Sequence, residues 1–167
     1  GDVYKRQELQ DYRRQYTKGG LREASMPDHP MVLFEQWQRD ASAAGLADPT
    51  GVVVATVQPD GSIRQRFVLL KGVSEDGFVF FTNYGSKKAK EALLTNKVAF
   101  NIHWKSLQRQ IRVRGHVEKE DGVIADQYFS RREIGSQAAA WASKQSETLA
   151  DRQELIERWQ SYQNQYL

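Results

Sequence analysis

Gly85, Ser86, Lys87 and Lys88 place a hydroxyl and two cations directly after a turn residue. If Ser86 caps a helix that starts at Lys87, its hydroxyl, the two ammonium groups and the free first-turn N–H groups converge on one point. An anion, with phosphate the obvious candidate, fits such a point. A lysine pair after a turn is also the composition of a solvated helix face, and both readings stand. Arg66 and Lys71 bracket the apolar run Phe67 to Leu70. Residues five apart point to opposite faces of a regular strand. A shared phosphate therefore needs a bulge or a strand end between them; otherwise they are two charges flanking a core strand.

Tyr128, Arg132 and Ser136 recur every four residues. On one continuous helix they would share a face and could hold an anion through a guanidinium and two hydroxyls. Gly135 argues against continuity, so the trio predicts a helix end followed by a loop. Gln145 and Ser146 read by themselves as a polar linker or a helix start.

Other chemistries find little support. The chain contains no cysteine, so thiolate nucleophiles, disulfides and cysteine metal sites are excluded. His29, His103 and His116 lack metal-ligand spacing, so no metal site is assigned. The carboxylates show no pairing that yields a hydrolase mechanism, and neither GxGxxG nor GxxxxGK occurs. No covalent or acid–base catalytic residue is assigned.

The elements that must position these groups follow from periodicity. Pro30 opens a helix with the stripe Leu33, Trp37, Ala41 and Ala44, and Gly45 stops it. Strands are predicted over Val52 to Val57, Arg66 to Lys71 and Phe78 to Thr82, joined by turns at Pro59-Asp60-Gly61 and Glu75-Asp76-Gly77. A short helix over Lys87 to Leu94 precedes a fourth strand, Val98 to Trp104. A fifth alternates, with Ile111, Val113 and Val117 on one face and Arg112, Arg114, His116 and Glu118 on the other. Helix returns over Ile124 to Ser130. Asp151 with Glu154 then resembles a capping box before the stripe Leu155, Trp159, Tyr162 and Tyr166. Antiparallel strands joined by short turns, with peripheral helices, read as a small, mainly β barrel.

The 167 residues suit one domain, with 40% hydrophobic and 27% charged residues. Lys plus Arg number 24 against 21 acidic residues, and many of the cations fall in the strand-rich middle, which suits an anionic ligand. No nucleic-acid-binding signature is present. No apolar window reaches the length of a membrane span, and no secretory signal is apparent, so a cytoplasmic location is the default expectation. Gly1 to Gln7 reads as a cloning or assembly remnant. Residues 1–20 are expected to form a flexible N-terminal segment ahead of a single domain over 21–167.

Six stretches in order resemble the pyridoxine/pyridoxamine 5'-phosphate oxidase family. They are Arg13-Arg14-Gln15-Tyr16 with Gly19-Gly20-Leu21; Arg66-Phe67-Val68-Leu69-Leu70-Lys71; Phe81-Thr82-Asn83 with Gly85 to Ala89; Arg109-Gln110; Tyr128 to Arg132; and Ser136-Gln137 with Trp141 to Ser146. The resemblance implies an FMN-binding split β-barrel with the FMN in a cleft between the subunits of a homodimer. It implies cofactor contacts from Arg66, Phe67, Val68, Leu69, Leu70, Lys71, Phe81, Thr82, Lys87, Lys88, Gln110, Gln145 and Ser146. Substrate contacts would come from Lys71, Tyr128, Arg132 and Ser136, with Arg13, Arg14, Gln15 and Tyr16 as a covering segment. The implied reaction oxidises pyridoxine or pyridoxamine 5'-phosphate to pyridoxal 5'-phosphate: hydride passes from substrate C4' to flavin N5, and O2 becomes hydrogen peroxide. The alternatives are a non-catalytic flavin- or pyridoxal-phosphate-binding protein and a related split-barrel flavoprotein reductase.

Two departures bear on the site. Phe81 and Lys87 stand where the family often has tyrosine and arginine, and lysine lacks the guanidinium fork. The family also continues past the position of Leu167 with a tail that supplies a tryptophan and an arginine near FMN and an Arg-x-His element near substrate. Without that tail, weaker binding of both ligands is expected.

Overall fold

The structure is a computed structural model that describes residues 15–120, 122–145 and 147–166. Arg13, Arg14 and Ser146, together with the Gly1 to Gln7 segment, lie outside the described residues. Contacts divide the chain into two compact units, one of residues 1–49 with 103–110 and the other of residues 50–102 with 111–167.

In the first unit, helix α1 runs over Pro30–Ala43, and the His29 ring accepts from the Met31 N–H at its start. Pro at the first helical position loses no hydrogen bond, because that N–H has no partner within a helix anyway. Phe34 and Ala41 are buried, and Phe34 packs on Trp104 at a ring separation of 6.2 Å. The Trp104 indole N–H donates to the Pro49 carbonyl at 3.0 Å. Gln108, in a left-handed conformation (φ 55°), accepts from the N–H groups of Thr17 and Lys18 at 3.0 and 2.9 Å. That pair of bonds docks the segment following Tyr16.

Five strands make one sheet in the order β3-β2-β1-β4-β5. They are β1 (Gly51–Val57), β2 (Ile63–Ser74), β3 (Gly77–Phe80), β4 (Val98–Trp104) and β5 (Arg109–Gly115). β1 lies antiparallel between β2 and β4, with Val54 opposite both Arg66 and Phe100. Burial alternates along β1: Val52, Val54 and Thr56 face the core with Phe100, Ile102, Ala89 and Ala92. The other face leaves Val53, Ile63, Phe67 and Leu69 exposed.

Helix α2 (Lys87–Thr95) covers the buried face, and it is followed by α3 (Gly122–Ser130), α4 (Ile134–Ala142) and α5 (Arg152–Tyr166). Asp151 caps α5 by accepting from the Glu154 N–H at 2.8 Å. α4 and α5 pack together, with the Trp159 indole donating to the Gly135 carbonyl at 3.1 Å and Trp141 against Tyr162.

Four expectations are corrected. β2 is longer than Arg66 to Lys71, because its pairing with β1 begins at Ile63. β3 stops at Phe80, which leaves Phe81 and Thr82 in the turn before α2. β5 ends at Gly115, and the Val117 N–H donates instead to the Asn96 side chain. The loop expected after Arg132 is helix α4: Gly135 falls in its first turn, where its flexibility costs little.

Candidate active site

The turn into α2 is built as the sequence predicts. Asn83 accepts from the Gly85 N–H at 2.8 Å, and the fully buried Ser86 caps the helix by accepting from Ala89. Capping fixes the side chains that follow. Lys87 stays exposed, whereas Lys88 is only 9% exposed. Its ammonium donates to the Gln145 side-chain carbonyl at 2.9 Å and approaches Ser86 Oγ at 3.4 Å.

Beside them opens a cleft of about 480 Å³ lined by Arg64, Gln65, Arg66, Phe67, Val68, Lys87, Lys88 and Gln145. Four cations and no carboxylate line it. Burial, followed by the charge of Arg66, lowers the Lys88 pKa, and burial likewise lowers that of Arg66. Cations held this way favour an anionic occupant, because an anion repays desolvation already spent on the fold.

A second cluster lies where β2 meets β3. The pairing register shifts between Leu70 and Gly72, so Lys71 sits at an irregularity. Its ammonium lies 5.3 Å from the centre of the Tyr128 ring, and Tyr128 stacks on Phe81 at 4.3 Å and 12°. Arg132 and Ser136 follow across the α3–α4 junction. The Arg132 guanidinium lies 6.0 Å from the centre of the Phe129 ring, and its carbonyl accepts from Gln137 at 2.7 Å.

The sequence candidates therefore divide. Arg66, Phe67, Val68, Lys87, Lys88 and Gln145 share the cleft. Lys71, Phe81 and Tyr128 form the second cluster, and Thr82 Oγ1 lies 3.4 Å from Ser86 Oγ. Leu69 is on the exposed sheet face and Leu70 in the core. Gln110, Gln15 and Tyr16 are exposed residues of the first unit. Sequence reasoning did not single out Arg64 or Gln65 as cleft residues, and it missed Thr56 and Glu91, which lie behind Arg66. No local pattern marks any of the four. Among the described residues there is no group of three or more His, Asp or Glu suited to a metal ion.

An antiparallel sheet with peripheral helices and a cationic cleft at a helix start is the architecture of the split-barrel class. PhzG from Burkholderia lata 383, solved with tetrahydrophenazine-1-carboxylic acid, superposes at a TM-score of 0.83 with 24% identity, over 89% of this chain and 74% of that one. A pyridoxamine 5'-phosphate oxidase-related, FMN binding protein from Nostoc punctiforme superposes at 0.60 with 16% identity, over 78% and 73%. Both likenesses concern the fold.

The family profile described as Pyridoxamine 5'-phosphate oxidase matches residues 39–163. The pyridoxine/pyridoxamine 5'-phosphate oxidase of Shewanella frigidimarina is 48% identical over 148 residues, which are 89% of this chain and 70% of that protein. The chain belongs to the pyridoxamine 5'-phosphate oxidase family.

Proposed function

We propose that the protein is an FMN-dependent oxidase that converts pyridoxine or pyridoxamine 5'-phosphate to pyridoxal 5'-phosphate and reduces O2 to hydrogen peroxide, a step of vitamin B6 synthesis and salvage. The observation that carries this reading is the cleft in which buried Lys88 meets Arg66 and Lys87 at the start of α2. Its donor set fits the phosphate of FMN: two ammonium groups and a guanidinium fork, with no acidic lining residue to oppose them.

In this reading Arg66, Lys87 and Lys88 hold the cofactor phosphate. The β2 segment Phe67 to Leu70 lines the cofactor, with Phe81, Thr82, Gln110, Gln145 and Ser146 completing its surroundings. When bound, FMN would supply the two-electron redox chemistry that links oxidation of the substrate at C4' to reduction of O2 to hydrogen peroxide. Lys71, Tyr128, Arg132 and Ser136 anchor the substrate phosphate, and residues 13–16 cover it. The protein's contribution is orientation and charge, which suits a site without an assigned nucleophile.

A homodimer is part of the proposal. Val53, Ile63, Phe67 and Leu69 form an exposed apolar face, with Phe67 60% exposed, and a second copy of the chain would cover it. The division of residues 21–167 as one FMN-binding domain belongs to the same reading. Among the described residues, no helix is long and apolar enough to cross a membrane.

The test is peroxide production by FMN-loaded protein with pyridoxine and pyridoxamine 5'-phosphates against their dephosphorylated forms. Turnover that depends on the phosphate is expected. Tight FMN binding with no peroxide from either phosphate would contradict the oxidase.

A further inference from the structure

Glu91 confronts two arginines from inside the fold. It lies on α2 one turn beyond Lys87 and Lys88 and is buried, as is Thr56 on β1. Glu91 Oε2 accepts from the Thr56 hydroxyl at 3.0 Å, and that hydroxyl accepts from Arg66 Nη1 at 2.8 Å. Arg66 Nη2 closes the triangle 3.7 Å from Glu91 Oε2. Arg64 Nε stands 3.8 Å from the other carboxylate oxygen, but its side chain is 45% exposed, so solvent screens that pair more strongly. Residues 64 and 66 are two apart on β2 and opposite Thr56 and Val54, which brings both cations to the face where Glu91 waits.

A carboxylate this close to an anion cleft works against the anion through its own charge. It also removes freedom from Arg66, whose side chain would otherwise lose that freedom only when the anion binds. Among the described residues, Thr56 and Glu91 are the polar groups that engage Arg66, and both approach it from the core side of the sheet.

We propose that Glu91 is a positioning residue of the cleft: acting through Thr56, it fixes the Arg66 guanidinium for the phosphate oxygens, and this gain exceeds its own repulsion of the anion. The proposal rests on the reading of the cleft as the FMN phosphate site.

The experiment is FMN titration of the ligand-free full chain, read by quenching of flavin fluorescence, in a double-mutant cycle of Glu91→Gln and Arg66→Ala. Glu91→Gln keeps the volume and an acceptor for Thr56. It is expected to weaken FMN binding about five- to tenfold in the parent, the order of one ordinary net hydrogen bond, because the carboxylate acts on the anion only through Arg66. In the Arg66→Ala background the same change should leave affinity unchanged or tighten it, because the carboxylate then only repels. Equal weakening in both backgrounds would mean general structural damage, and tightening in both would mean a plain opposing charge; either result overturns the proposal. Weakening by Arg66→Ala with no effect of Glu91→Gln overturns it while sparing the phosphate-site reading. Parental affinity in Arg66→Ala overturns both. Thr56→Val, which removes the relaying hydroxyl at similar volume, repeats the cycle if Glu91→Gln does not fold: it should weaken FMN binding in the parent and leave affinity unchanged in the Arg66→Ala background, since Glu91 keeps its charge in both.

Discussion

Lys88 Nζ donates to Gln145 Oε1 at 2.9 Å, which ties the first turn of α2 to the segment after α4. The acceptor is a neutral amide, so the bond orients the ammonium without neutralising it. A carboxylate at that position would have satisfied the lysine and closed the site to anions. Lys88→Met should therefore weaken FMN binding roughly 10- to 100-fold, the range for a lost charge-assisted hydrogen bond. Fluorescence titration checks it, and undiminished affinity would remove Lys88 from the phosphate site.

The same lysine predicts a pH effect on the ligand-free protein. Burial and the Arg66 charge lower its pKa below the ordinary 10.5, so the unfolded chain keeps that proton to a higher pH than the folded one. Unfolding takes up a proton between the two values, and stability from this residue rises with pH across that window. Below the window both states are protonated and the contribution is flat. Urea unfolding of parent and Lys88→Met across the alkaline range should show a slope in the parent that the variant lacks.

Tyr128 separates binding from packing. Its ring stacks on Phe81, beneath the Lys71 ammonium. Tyr128→Phe keeps the stack and loses only the hydroxyl proposed for substrate, so KM should rise severalfold with the unfolding midpoint nearly unchanged. Tyr128→Ala should in addition cost about 1 kcal/mol, the order of an aromatic pair. A stability loss as large in Tyr128→Phe would show that the hydroxyl serves the fold.

Trp159 supplies a contrast away from the cleft. Its indole donates to the Gly135 carbonyl across the α4–α5 contact. Trp159→Phe should cost about 1 kcal/mol in urea unfolding, the net value of one such hydrogen bond. FMN affinity measured on the same variant should match that of the parent.

Much of this arrangement was legible in the sequence because it is local. Pro30, the Ser86 cap and the Asp151 cap mark helix starts by chemistry confined to a few residues, and β4 follows from its apolar run. Strand period alone showed that Arg66 and Lys71 could share an anion only with a bulge or a strand end between them; a register shift lies between Leu70 and Gly72, and the two side chains fall in separate clusters. Helix α4 was hidden because Gly135 and the run Ala138 to Ala140 show little polar contrast; its packing on α5 supplies what propensity does not. Glu91 reads in sequence as a solvated helix residue. Its partners Thr56 and Arg66 lie on other elements, and only the fold brings them together.

The proposed reaction is oxidation of a phosphorylated B6 vitamer through bound FMN. The most direct measurement is the anaerobic visible spectrum of FMN-loaded protein before and after addition of pyridoxine 5'-phosphate. Loss of the flavin band, restored on admitting air, is the predicted result. A flavin band that persists with saturating substrate on protein shown to hold FMN would contradict it.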